Sequence, residues 1–408
     1  VETGAPLDLQ RLQLLRGIFN VRAPVTLTSS VDWSTGGFFG NEPVTSTAAW
    51  RLLDGDRIFR GNVSSGGNLS WEGGRFTEWS GRFVNQTGAQ FDILGDFNSA
   101  GGAGGKLINT GTVSKRAGPG RSELAMVFDS IGGTARSLSG TLALTGGGTH
   151  TDATFAASAG AAIELAGGTT FGGVITTTGP LHVTGGDFTL LPGTTYLHAA
   201  GNRFNVANVN IPGGAHLGVA DAFSSTGNVI NLGRFTPGNN VSIFGDFNQQ
   251  GTFALNPGKA LYVAGTFTHN GPLTVSDAAL TVGKLLNHGT INVVGRTDVS
   301  VGDLDNRGTL VLGPANGFPG VIASISSGVN SGTLRVDGAN SRVGAFDLQN
   351  TGLRIDTSPV GEAVIYGGIR ANRSLTVTSG GLTLRQETNA AGYDPLLTRS
   401  AWIESARP

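Results

Sequence analysis

The chain has 408 residues, 67 of them glycine, 15 proline and none cysteine, with 13% charged residues and a formal net charge of −1. That charge balance gives no basic face for nucleic acid, and 38% hydrophobic residues are too many for a disordered tail. The glycine load argues against a helical protein, the missing Gly-X-Y period excludes collagen, and there is no apolar run long enough for a transmembrane helix. Without cysteine there are no disulfides, thiolate zinc sites or Cys nucleophiles.

In chain order, Leu9, Leu12, Leu15 and Phe19 stand at helical spacing, and Asp8 is placed to cap the start. The spacing predicts a short helix within an N-terminal cap or docking region, residues 1–60. Four of the five tryptophans, Trp33, Trp50, Trp71 and Trp79, lie in the first 80 residues and predict a large aromatic core there. Exposed tryptophans stacking on sugar rings are the rival reading. The start at Val1, without Met, fits a processed chain whose secretory signal has been removed.

From residue 61 to residue 386 the sequence reads as one repeating body. Asn85-Gln-Thr-Gly88 precedes Phe91 and Ile93, and Asn109-Thr-Gly111 precedes Val113. Gly95-Asp-Phe-Asn98 returns as Gly245-Asp-Phe-Asn248, and Trp71-Glu-Gly-Gly-Arg-Phe76 returns as Trp79-Ser-Gly-Arg-Phe83. Asp96 and Asp246 read as corner residues capping their own turns. Gly101-Gly-Ala-Gly-Gly-Lys106 is not a phosphate loop, because Ala100 and Leu107 stand where that motif needs Gly and Ser or Thr. Between 138 and 200, short alternating runs such as Leu142-Ala-Leu144 and Phe188-Thr-Leu190 are separated by glycine turns.

The clearest repeat follows Asn248, Asn270, Asn287, Asn306, Asn330 and Asn350, each with a glycine close behind, at 251, 271, 289, 308, 332 and 352. Each pair precedes an apolar segment with alternate residues hydrophobic, such as Ile291 and Val293, Leu310 and Leu312, or Leu334 and Val336. A unit of roughly 20 residues is too short for its own sheet, but stacked units pair edge to edge and pool a core. Asn and Gly would supply strained or left-handed backbone at the corners. The expected fold is an all-β, right-handed parallel β-solenoid with about 20 residues per coil.

Leu107-Ile-Asn-Thr-Gly-Thr-Val-Ser-Lys-Arg116, Leu138-Ser-Gly-Thr-Leu-Ala-Leu-Thr-Gly-Gly-Gly148 and Phe155 through Thr169 resemble a module of Gly/Thr/Asn-rich secreted bacterial β-solenoids, of the autotransporter-passenger and haemagglutinin-like kind. The resemblance covers about residues 70–385. It implies a secreted or cell-surface protein; with no converging catalytic set and with open coil ends, the expected role is structural or adhesive, in a surface fibre or an end-to-end assembly, and not that of an enzyme.

Chemistry-bearing residues are sparse. There is no Gly-x-Ser-x-Gly elbow, and His150, His182, His198, His216, His269 and His288 form no zinc motif. His269 and His288 stand one unit apart, a spacing that would let them stack on one face. Asp54 with Asp56 and Asp303 with Asp305 offer too few oxygens for calcium on their own. A polysaccharide-cleaving β-helix enzyme needs carboxylates one coil apart; Asp277 with Asp298 and Asp337 with Asp356 meet that spacing. The Asn-x-Ser/Thr triplets at Asn62, Asn68, Asn85, Asn240 and Asn372 read as incidental. The reading therefore assigns no catalytic, cofactor or metal residues and no cofactor. It expects self-association or neighbouring modules as partners, with cell-surface glycans as a further class. Residues 387–408 lose the alternation and read as a tail or a truncated continuation.

Overall fold

A computed structural model describes residues 2–3, 5–313 and 321–336, together with the strands Arg342–Asn350, Leu353–Ile355, Glu362–Ala371, Leu375–Val377, Gly381–Arg385 and Trp402–Ser405. The described residues contain no helix, and the fold is a parallel β-solenoid. By compactness the chain divides into two units: Val1–Tyr196 with Gly201–Val206, and Leu197–Ala200 with Ala207–Pro408.

In both units a coil runs through three faces, and each strand pairs in parallel with its equivalent in the next coil. In the second unit, Leu261–His269 forms two faces at once. Its residues 261–263 pair with 280–282 and its residues 266–269 with 284–287, with a register shift at the corner between Val263 and Thr266. Pro272–Ser276 then pairs with Thr290–Val294 on the third face. In the first unit the same three steps are Arg121–Leu124 with Thr141–Leu144, Arg82–Asn85 with Lys106–Asn109, and Gln90–Ile93 with Thr112–Lys115.

The alternation read from the sequence is the inside–outside alternation of these strands. Ile291, Val293, Leu310, Leu312 and Leu334 are all buried, in register from coil to coil. The side chain of Val336 lies outside the described residues. All four early tryptophans are buried too, so the sugar-stacking reading of Trp33, Trp50, Trp71 and Trp79 does not hold. Trp71 and Trp79 line successive faces of one coil, each against Phe76, with ring centroids 5.2 and 4.7 Å apart.

The N-terminal helix is not formed. Leu7–Leu14 is an extended strand paired in parallel with Val25–Trp33. A register shift between Leu9 and Arg11 turns the corner, so Leu7, Leu9, Leu12 and Leu14 point inward on two faces. That extra corner residue produces the three-residue gap that imitates a helix. Leu15 is 57% exposed, as the helical reading would not have it.

Gly88 has the expected left-handed backbone, at a φ of 86°, but the glycines of the later repeat have another cause. Gly251, Gly289, Gly308 and Gly332 do not have positive φ. A Cβ on Gly308 would stand 2.0 Å from the carbonyl oxygen of Gly289, and one on Gly332 2.1 Å from that of Gly308. At these two corners the coils approach too closely for any side chain, whereas a Cβ on Gly271 would meet nothing nearer than 3.5 Å.

Candidate functional site: the buried polar ladder and the acidic residues

At the corner between the second and third faces, each coil turns one residue inward in the same place. In the first unit these are Ser46, Ser65, Asn85, Asn109, Ser130 and His150, followed by Phe171 and Leu190. In the second unit they are Ile211, Asn231, Gln249, His269, Asn287, Asn306 and Asn330. Every polar member is buried.

The asparagines bond along the stack. Asn287 Nδ2 donates to Asn306 Oδ1 at 2.8 Å and to the Thr309 carbonyl at 3.1 Å. Asn306 Nδ2 donates to Asn330 Oδ1 at 2.5 Å and to the Thr333 carbonyl at 3.0 Å. Asn85 Nδ2 donates to Asn109 Oδ1 at 2.8 Å, and Asn231 Nδ2 to Gln249 Oε1 at 2.7 Å. A carboxamide has both donors and an acceptor, so one residue type can satisfy itself, the coil above and the corner backbone. The ladder departs from the sequence pattern at two rungs: Gln249 and His269 point inward, not their neighbours Asn248 and Asn270. His288 is exposed, so it does not stack with buried His269.

A second set of Asx residues closes the outer corners. The Oδ1 atoms of Asn68, Asp129, Asn228 and Asp246 accept from the backbone N–H groups of Gln90, Thr149, Asp246 and Thr266 in the following coil. Asp96 does so through Oδ2, accepting from the Gly120 N–H. Asp96 and Asp246 therefore cap the next coil rather than their own turn. The repeated tetrapeptides around them are not equivalent, since Asn98–Ser99 lies on the first face and Phe247–Gln249 on the second.

Among the described residues the acidic pair does not fall in register. Asp298 is in register with Ala279, two residues beyond Asp277. Asp277, at a positive φ of 50°, accepts from the Arg296 backbone N–H at 3.0 Å. Asp337 and Asp356 lie outside the described residues. Asp54 accepts from Gly74 N, and Asp56 pairs with Arg75 at 2.9 Å, which lowers the Asp56 carboxyl below its usual range. Asp303 pairs with Lys284 at 3.0 Å and Asp305 with Arg307 at 2.8 Å. Among the described residues no three His, Asp or Glu side chains are grouped to hold a metal ion.

The cations act as staples. The buried Arg57 donates to the carbonyls of Ser34, Leu53 and Gly73 and lies 5.2 Å from the Phe76 ring centre. Burial lowers its guanidinium to about 10, with Asp54 and Asp56 opposing. Lys115, also buried, bonds Asp96 at 2.6 Å and the carbonyls of Gly95 and Ala117. Arg51 makes a two-pronged pair with Glu72 and reaches Asp32, and Arg60 makes the same fork with Glu78. On the outside of the second unit, Phe244 and Tyr262 are 55% and 39% exposed with rings 5.8 Å apart at 65°.

These features define the class as a β-solenoid whose coils are joined by an internal amide ladder. No protein-family model, curated protein or solved structure matches the chain.

Proposed function

We propose that the protein is a structural or adhesive element, secreted or held at a cell surface, that works through stacked coils and a repeated outer surface. One observation carries this reading. Charged groups on the outside join adjacent coils: Arg51 with Asp32 and Glu72, Arg60 with Glu78, Arg75 with Asp56 and Lys106 with Asp129. A catalytic β-helix instead aims carboxylates at a shared point. Surface and extracellular placement rest on the resemblance to secreted solenoids. Self-association, or docking to neighbouring modules, follows from the same logic, because a parallel coil stack extends by adding coils.

The test is to incubate the purified chain with a panel of acidic and neutral polysaccharides and to follow its sedimentation over a concentration series. The proposal expects concentration-dependent association and no new reducing ends or unsaturated products. Product formation would transfer the protein to the enzyme class. Glycan binding is a second reading, favoured by the exposed Phe244–Tyr262 pair. It requires a glycan-array signal that Phe244→Ala abolishes.

A further inference from the structure

His269 occupies a rung of the ladder but does not work as one. Its neighbours are Gln249 in one adjoining coil and Asn287 in the other. Gln249 accepts from Asn231 and turns its own amide to the Gly251 carbonyl at 2.7 Å. Asn287 donates onward to Asn306. Neither His269 nitrogen bonds to the rung above or below, and the polar groups that stand against the ring are those of the Gly271 and Thr290 backbone. The run of side-chain bonds from Asn231 to Asn330 is therefore broken at this coil.

The surroundings decide what the break does. Phe267, whose ring centre is 5.7 Å away, Phe247, Leu285 and Leu273 are the buried side chains of the adjoining strands. Strands Phe247–Gln249, Ala279–Asn287, Pro272–Ser276 and Thr290–Val294 all pack around this corner. Their titratable residue, Lys284, is exposed, as is His288 at the corner after Asn287. No acid or base on these strands faces the ring. The Gly271 and Thr290 backbone groups favour a protonated ring, but burial disfavours it more. A charge formed there would be buried without a counter-ion.

We propose that His269 is an acid-sensitive break in the ladder, where protonation opens the coils between Phe247 and Asn287 while the amide-bonded coils from Asn287 to Asn330 stay closed. The opening occurs below the ordinary histidine range, because the folded ring resists the proton. Its use is local: one segment loosens on acidification and exposes its strand edges, and the neighbouring coils keep their register.

Hydrogen exchange of the full chain from pH 7.5 to 4, expressed as protection factors, tests this. Peptides covering 247–287 should lose tenfold or more in protection relative to peptides covering 290–312. In His269→Asn, which restores the donor that an Asn rung supplies, that selective loss should vanish. His269→Gln serves as the second variant should the first fail to fold. Ring titration of His269 by NMR gives an independent readout. The proposal is overturned if both folded variants show the same selective loss as the parent, or if the ring titrates without any change in protection.

Discussion

The coils around residues 30–95 and those around residues 285–335 fill the same three-faced outline in different ways. The early coils use large rings: Trp33, Phe38, Trp50, Phe59, Phe76, Trp79 and Phe83 form a continuous aromatic cluster with tilted and edge-to-face contacts. The first ladder positions there are small hydroxyls, Ser46 and Ser65, before Asn85 takes the next rung, and ion pairs join the outside. The later coils use Leu, Ile and Val and put asparagines on the ladder. Large rings fill the cross-section by volume, and the corner takes serine at Ser46 and Ser65 and a carboxamide at Asn85. Smaller aliphatic chains leave space for carboxamides, which then fix the register by hydrogen bonds.

The largest effect should come from a charge in the aliphatic coils. Leu310→Asp buries an unpaired carboxylate and is expected to cost about 4 kcal/mol or more, read by chemical denaturation. A variant that melts with the parent would refute the inward assignment. In the aromatic coils, Trp79→Ala should cost about 3–5 kcal/mol through lost area and a cavity between Phe59, Phe76 and Phe83.

The ladder itself gives smaller and more diagnostic effects. His150 is buried among Phe128, Phe155 and Phe171, and burial lowers its pKa to about 4 against an opposing pull from Asp129. The fold holds it neutral, and the unfolded chain takes up the proton first, below about pH 6.5. Its contribution is therefore full above pH 6.5 and is lost as pH falls towards 4, by at most about 3 kcal/mol. His150→Phe should flatten that part of the stability–pH curve. Asn306→Ala removes the acceptor of Asn287 and the donor to Asn330 and the Thr333 carbonyl. It should cost about 1–3 kcal/mol, with Asn306→Asp no better at neutral pH because the donor is gone. The smallest effect belongs to Arg51→Ala on the exposed ion pairs, a slight fall in melting temperature that high salt erases.

The coil period and inward residues were legible because strand alternation writes burial directly into the sequence, as at Ile291 with Val293 and Leu310 with Leu312. Asn287, Asn306 and Asn330 were legible as corners, but their role as buried donors was not, since a corner asparagine looks the same whether it faces in or out. His269 was hidden beside Asn270, whose Asn-Gly pair is the stronger turn signal. The Leu9–Leu12–Leu15 spacing misled because a strand that turns a corner gains one residue. The close approach at Gly308 depends on the coil below, which no local pattern contains.

The central claim is that neighbouring coils stack in parallel, in the stated register, about 4.8 Å apart. Thr281 and Ser300 are exposed register partners in adjacent coils, and the chain has no cysteine of its own. The double variant Thr281→Cys/Ser300→Cys should therefore be cross-linked nearly completely, within one chain, by the shortest bis-thiol reagents. The pair Thr281→Cys/Val311→Cys, on different faces, should not react with them. Equal cross-linking of the two pairs, or none in the first, would contradict the stacked-coil account.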